Sequence, residues 1–166
     1  GQVDSKNFMT WEQLMEMQNH HMQIESHTHT HTPLELLSKA EIEWEVNHPK
    51  EFLEKHLGKQ VKFISLPHGS YNRETLLIAR KAHYLACATS NFGYATPKTN
   101  AYTLPRILLR RNHDISQFAR LCEGGTLIWL RERLIHQSKS LIKDAIGIGC
   151  YNKLHKIRYR LDHARS

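Results

Sequence analysis

Short apolar runs alternate along this chain with longer stretches of helical period, and that alternation narrows the fold more than any other feature. Met22–Ser26, Val61–Ser65, Tyr84–Thr89 and Ile107–Leu109 read as strands. Helices are predicted over residues 10–20, from Ser38 to Gly58, over Arg73–Lys81, and from Asp114 through Leu121. Their starts carry local capping chemistry. Thr10 is followed by Gln13 and Ser38 by Glu41, each pair a capping box, and Asn72 caps the third helix. Gly58 is a natural left-handed stop. Pro49 falls inside the second helical run, so a kink or two abutting helices is expected there. Strand–helix–strand repeats of this kind point to parallel βα units, an α/β fold with helices outside the strands.

The chemistry is concentrated in Ser26-His27-Thr28-His29-Thr30-His31-Thr32-Pro33. Imidazole is the commonest neutral metal ligand near physiological pH, and two can share one zinc ion if the backbone aims them together. On a helical turn, His27 and His31 would share one face. On a strand, all three histidines would. The bland alternative is a solvated loop or an adventitious metal site. The tract is internal and follows a strand, and α/β folds and barrels place their chemistry at the C-terminal ends of strands.

At 166 residues, 40% hydrophobic and 23% charged, the chain can build one sizeable core. No apolar run approaches the roughly 20 residues of a membrane-spanning helix. The net charge is +7, from 23 Lys and Arg against 16 Asp and Glu, which favours anionic partners. Part of that excess lies in the tail. There Lys153, Lys156, Arg158, Arg160 and Arg165 interleave with Tyr151, Leu154, Ile157, Tyr159 and Leu161 as a basic amphipathic helix. That helix suits an anionic surface or packs back on the domain with its basic face solvated. Gly124-Gly125 marks a composition break, dividing the chain into a domain over 1–123 and a helical C-terminal extension over 124–166. Cys87, Cys122 and Cys150 show no paired spacing and read as buried structural thiols.

Four stretches together resemble the polysaccharide deacetylase family, the NodB-like carbohydrate esterases, over about residues 8–121. These are Phe8-Met9-Thr10-Trp11-Glu12-Gln13-Leu14, the tract Ile24–His31, the long helical run after Leu36, and Phe63-Ile64-Ser65-Leu66-Pro67-His68-Gly69-Ser70-Tyr71-Asn72. The resemblance implies an incomplete (β/α) barrel of the polysaccharide deacetylase type, with parallel strands and outer helices. It puts the metal on His27 and His31 and makes His29 the variable position between them. It assigns oxyanion and substrate binding to His68, Pro67 and Tyr71, with the donor being the His68 backbone N–H. His68 stands where Tyr is usual. Ser65 stands where many members carry Arg. Ala82-His83-Tyr84 replaces a usual Ala-Gly-Tyr and so loses the preferred left-handed helix stop. The general acid falls on His113. The family's first motif, an Asp pair supplying the third ligand and the general base, has no counterpart among Asp4, Asp114, Asp144 and Asp162. The expectation is a truncated form lacking the first strand, the first helix and most of the second strand.

The implied activity is metal-dependent deacetylation: hydrolysis of N-acetyl groups on a polysaccharide or other amino-sugar substrate, with zinc or another divalent metal as cofactor. On this reading the chain alone binds zinc weakly and is inactive, while its longer parent is the enzyme. An open barrel edge would favour dimerisation or poor solubility. One rival is a carbohydrate-binding pseudoenzyme without the catalytic Asp pair. The other is a basic protein that binds nucleic acid or a membrane surface through residues 139–166. The leading reading expects an oligosaccharide or polysaccharide partner, allows an anionic surface through the basic helix, and expects no nucleic acid. The compartment stays open, the cell envelope or cytoplasm of a bacterium being the analogy.

Overall fold

The computed structural model describes residues 8–109 and 113–124, together with Leu130, Leu134, Ser138 and Gly147. The chain divides into two compact units, Gly1–Arg106 and Ile107–Ser166. That division falls ahead of the composition break at Gly124-Gly125.

The first unit is built on a parallel sheet of order β1-β2-β3, comprising Phe63–Ser65, Ala86–Phe92 and Leu104–Arg106. Ile64 pairs with Cys87, and Phe92 pairs with Arg106 after an irregularity in the second ladder. Ser26 extends the sheet on the far side of β1 through a single parallel bridge to Ile64. The predicted strand Met22–Ser26 is therefore reduced to that bridge, tied by Ser26 N–H to the Phe63 carbonyl at 3.2 Å and Ser65 N–H to the Ser26 carbonyl at 2.9 Å. Among the described residues the sheet does not close into a barrel, and the fold is α/β with parallel strands, as expected. The predicted strand Ile107–Leu109 is a correction: β3 lies just before it. The apolar run misled because Leu108 and Leu109 are exposed, while Pro105, lacking an N–H, sits in a three-residue strand at the sheet edge where a missing donor is tolerated.

Four helices carry the predicted caps: α1 Trp11–Asn19, α2 Lys39–Leu57, α3 Arg73–Lys81 and α4 Ile115–Cys122. Thr10, Ser38, Asn72 and Asp114 each form a reciprocal capping box. The last belongs to the second unit. α2 runs through Pro49 as one helix of 19 residues, which corrects the alternative of two abutting helices. The proline removes one ladder bond, and burial of its ring offsets the loss. Gly58 ends α2 at φ 64°, as expected. His83 takes the left-handed conformation at φ 61° that a glycine would have supplied freely.

The core of this unit joins Leu34, Ile42 and Val46 to Ile64, Leu66, Ile78 and Tyr84. Tyr84 is 1% exposed, and its hydroxyl donates to the Val46 carbonyl at 3.0 Å, which satisfies its one polar group. Lys50 pairs with Glu54 at 2.7 Å and donates to the Val61 carbonyl, while Glu54 accepts the Val61 N–H at 2.9 Å. One turn of α2 thereby pins the approach to β1. Cys87 is buried as expected, and that burial pushes its thiol up to about 11. Cys122 is exposed, a correction. Cys150 and the basic tail lie outside the described residues.

Candidate metal centre

Both halves of the candidate site leave the same end of the sheet. His27 follows the Ser26 bridge, and the turn 66–70 follows β1. Parallel strands deliver their loops to one end, and that end is where α/β folds collect functional groups.

The histidine tract is neither a helical turn nor a strand, a correction to both geometries the sequence offered. Thr28 and His31 adopt φ 64° and 61°. A left-handed conformation at a β-branched threonine is uncommon and costs energy. Thr28 Oγ1 is also buried with no hydrogen-bond partner. The two left-handed residues fold the loop back on itself, so that the His27 and His31 rings lie 4.8 Å apart with planes at 71°.

His27 is further fixed through its other nitrogen. Nδ1–H donates to the Ser65 carbonyl at 2.6 Å, since a carbonyl can only accept. In the neutral ring this sets the tautomer and leaves the lone pair on Nε2, the arrangement a metal-ligating histidine needs. Two imidazoles bound to one zinc through nitrogens at about 2.1 Å would place their centroids about 5 Å apart. The pair therefore fits a divalent ion in donor type and spacing, and His27 in tautomer as well. The pair would supply two of the three ligands that catalytic zinc normally takes from protein. Among the described residues no group of three His, Cys, Asp or Glu side chains is placed to hold a metal ion.

His29 points elsewhere. Its ring packs edge-on against Trp44 at 4.3 Å and lies 5.0 Å from His48 on α2. The alternation of the tract in sequence is thus split in space: two rings converge at the strand end and the middle one docks on the helix.

The turn after β1 is built around left-handed residues as well. His68 has φ 55° and Gly69 φ 66°. Gly69 N–H bonds the Leu66 carbonyl at 2.9 Å and Ser70 N–H the Pro67 carbonyl at 3.0 Å. A Cβ on Gly69 would lie 2.3 Å from the backbone nitrogen of Ser90, so the close approach of this turn to β2 demands glycine. Pro67 is fully buried. The His68 ring lies 5.0 Å from that of His31, which brings the two sequence-predicted loops together. Tyr71 is half-buried, and its hydroxyl accepts from Asn91 Nδ2 at 3.1 Å. His113 lies in the second unit, one residue before the Asp114 cap of α4.

Two contributors went unnoticed in the sequence. Glu45, 3% exposed on α2, accepts from the N–H groups of His29 and Thr30 and from the Thr30 hydroxyl. Burial pushes its carboxyl up, but these bonds outweigh burial and hold it below the usual carboxylate value. Its signal was a charge at the inward stripe formed by Ile42, Val46 and Pro49, where an acid must find donors. Arg106, at the end of β3, donates from Nε to the Thr89 carbonyl at 2.6 Å and from Nη1 to Ser65 Oγ at 3.0 Å. A guanidinium thus rests on the side chain that replaces the arginine many family members carry. Nothing local in the sequence announces a bond across 41 residues.

The family model for polysaccharide deacetylase matches residues 2–87. A putative polysaccharide deacetylase of Bacillus subtilis, YxkH, is 32% identical over 122 residues, covering 74% of this chain and 44% of the relative. Among solved structures, the Streptococcus pyogenes deacetylase PplD in complex with acetate matches at 30% identity and TM-score 0.68, over 70% of this chain and 52% of that one. A polysaccharide deacetylase from Bacillus cereus matches at 26% identity and TM-score 0.64, over 70% and 37%. The chain therefore spans about half the length of these relatives or less. The matched segment contains the histidine tract, the long helix and the turn after β1, and the chain belongs to the polysaccharide deacetylase family.

Proposed function

We propose that this chain carries the histidine pair of a metal-dependent hydrolase that removes N-acetyl groups from an amino-sugar polysaccharide. The observation that carries the reading is the convergence of His27 and His31, with the His27 tautomer set by the Ser65 carbonyl. A bound divalent ion, zinc by its preference for imidazole, would supply Lewis-acid polarisation of the amide carbonyl and an acidified water. His27 and His31 would hold that ion. The His68 N–H, fixed by the Pro67 turn, donates to the oxyanion of the tetrahedral intermediate. Pro67, fully buried, sets the turn, and Tyr71 lines the side against which the sugar lies. A general acid delivers a proton to the leaving amine; His113, the candidate from the resemblance, lies in the second unit. The third ligand and the proton-accepting carboxylate are assigned to the part of the relatives' length that this chain does not span.

Zinc titration by calorimetry, with a His27→Ala/His31→Ala variant alongside, tests the reading. Stoichiometric binding that disappears in the variant supports it. Binding that is absent, or that persists in the variant, overturns the metal site. Zinc-independent binding of chitooligosaccharide would then favour the carbohydrate-binding pseudoenzyme.

A further inference from the structure

The geometry points to Glu45 as the positioning residue of the His27–His31 pair. This inference deepens the metal-site reading and rests on it. Glu45 is the one charged group carried into the core by α2, at 3% exposure. All three hydrogen-bond donors to it lie on the histidine loop. Oε2 accepts His29 N–H and Thr30 N–H, each at 2.9 Å, and Oε1 accepts the Thr30 hydroxyl at 2.6 Å. Having given its proton to Glu45, the Thr30 hydroxyl accepts from Thr32 Oγ1 at 2.7 Å. Residues 29, 30 and 32 are thereby strung to one carboxylate, and His31 sits between them.

What this carboxylate does follows from the conformation it holds. Thr28 and His31 are both left-handed, a region uncommon for any residue but glycine and costly for the β-branched Thr28. Such a loop persists only where its surroundings over-determine it. The Ser65 carbonyl fixes His27 from one side. Among the described residues no hydrogen bond fixes the His31 ring, which is flanked by the rings of His27 and His68. Its aim is therefore set by the backbone on either side, and that backbone is what Glu45 grips. An ionised carboxylate suits the task because it is acceptor-only and can take all three donors at once. Glutamine is nearly the same shape, but it offers one acceptor oxygen and turns an NH2 toward donors.

The test is zinc titration of the chain by calorimetry, comparing wild type, Glu45→Gln, Thr30→Val, Thr30→Ser and His27→Ala/His31→Ala. Thermal melts of the metal-free proteins run in parallel, with imidazole 15N–1H spectra of His27 and His31. The expected result is a zinc Kd at least tenfold weaker in Glu45→Gln and in Thr30→Val. Thr30→Ser, which keeps the hydroxyl, stays near wild type. In the metal-free spectra, the His31 ring signals of the two weakened variants move toward free-histidine positions while the core methyl signals of Leu34 and Val46 hold still. A merely structural role would lower the melting temperature and leave the Kd and ring signals where they were, and that outcome overturns the proposal. If wild type takes up no zinc at the pair, the metal-site reading fails by itself. The spectra still decide whether Glu45 positions the rings, with unchanged His31 signals in both variants counting against it.

Discussion

Replacing Gly69 by alanine, with Gly58→Ala as its control, isolates the close approach on which the turn after β1 depends. Both glycines sit in the left-handed region, at φ +66° and +64°, so both substitutions meet the same backbone penalty of about 1–2 kcal/mol. They differ in what the new methyl touches. At Gly58 nothing lies within 4 Å. At Gly69 the Cβ falls 2.3 Å from Ser90 N, 2.4 Å from Ser90 Cβ and 2.6 Å from Ser90 Oγ. Two of these are fixed by the β2 backbone and cannot rotate away. Overpacking of this kind costs about 1–3 kcal/mol, and a rigid neighbour places it in the upper part of that range. Gly69→Ala is therefore expected to lose about 3–5 kcal/mol and Gly58→Ala about 1–2 kcal/mol. The difference is a large share of the total stability of a small domain. Urea unfolding followed by far-ultraviolet circular dichroism reads it directly. With a slope of about 1–3 kcal/mol per molar for a unit of this size, the two midpoints should differ by about 1–2 M. Midpoints within about 0.3 M of each other would refute the claim that the turn is pressed against β2.

The remaining expectations concern buried or strained groups. Because Glu45 has a folded pKa below the usual value of 4.5, its ionised form stabilises the fold at higher pH, and that contribution is lost as pH falls through the folded pKa. The stability gap between wild type and Glu45→Gln should thus narrow as pH drops below 4.5, and a gap constant from about pH 6 to 3 would contradict this. Tyr84→Phe removes the bond to the Val46 carbonyl and should cost about 1 kcal/mol in the same urea assay. An unchanged midpoint would show that the hydroxyl contributes nothing. His83→Gly relieves a left-handed residue at φ 61° and should gain about 1 kcal/mol. A loss would mean that the His83 ring does more than its backbone suggests.

Much of the architecture was legible because it is written locally. The capping boxes at Thr10, Ser38, Asn72 and Asp114 involve residues three apart, and each helix begins where its box predicts. Failures came where a residue's surroundings overrode its type. Pro49 reads as a helix breaker, yet α2 continues through it with the proline buried. Ile107-Leu108-Leu109 reads as a strand, yet the pairing falls on Leu104–Arg106, whose partners on β2 no local pattern reveals. His83 reads as a lost glycine, but the chain takes the left-handed conformation there regardless.

The candidate site divides along the same line. Sequence alone determined that histidines cluster just after a strand end and that a proline turn follows the next strand, because these are properties of neighbouring residues, while the choice of His27 and His31 came from the family resemblance. Only the tertiary structure decided which rings meet, and by what support. Ser65 fixes His27 across 38 residues, Glu45 reaches Thr30 across 15, and Arg106 reaches Ser65 across 41. His29, in the middle of the tract, turns instead to Trp44. The physical reason is that hydrogen bonds are short and directional, so which groups make them depends on where the sheet and α2 bring distant segments within about 3 Å, a distance that no spacing along the chain encodes.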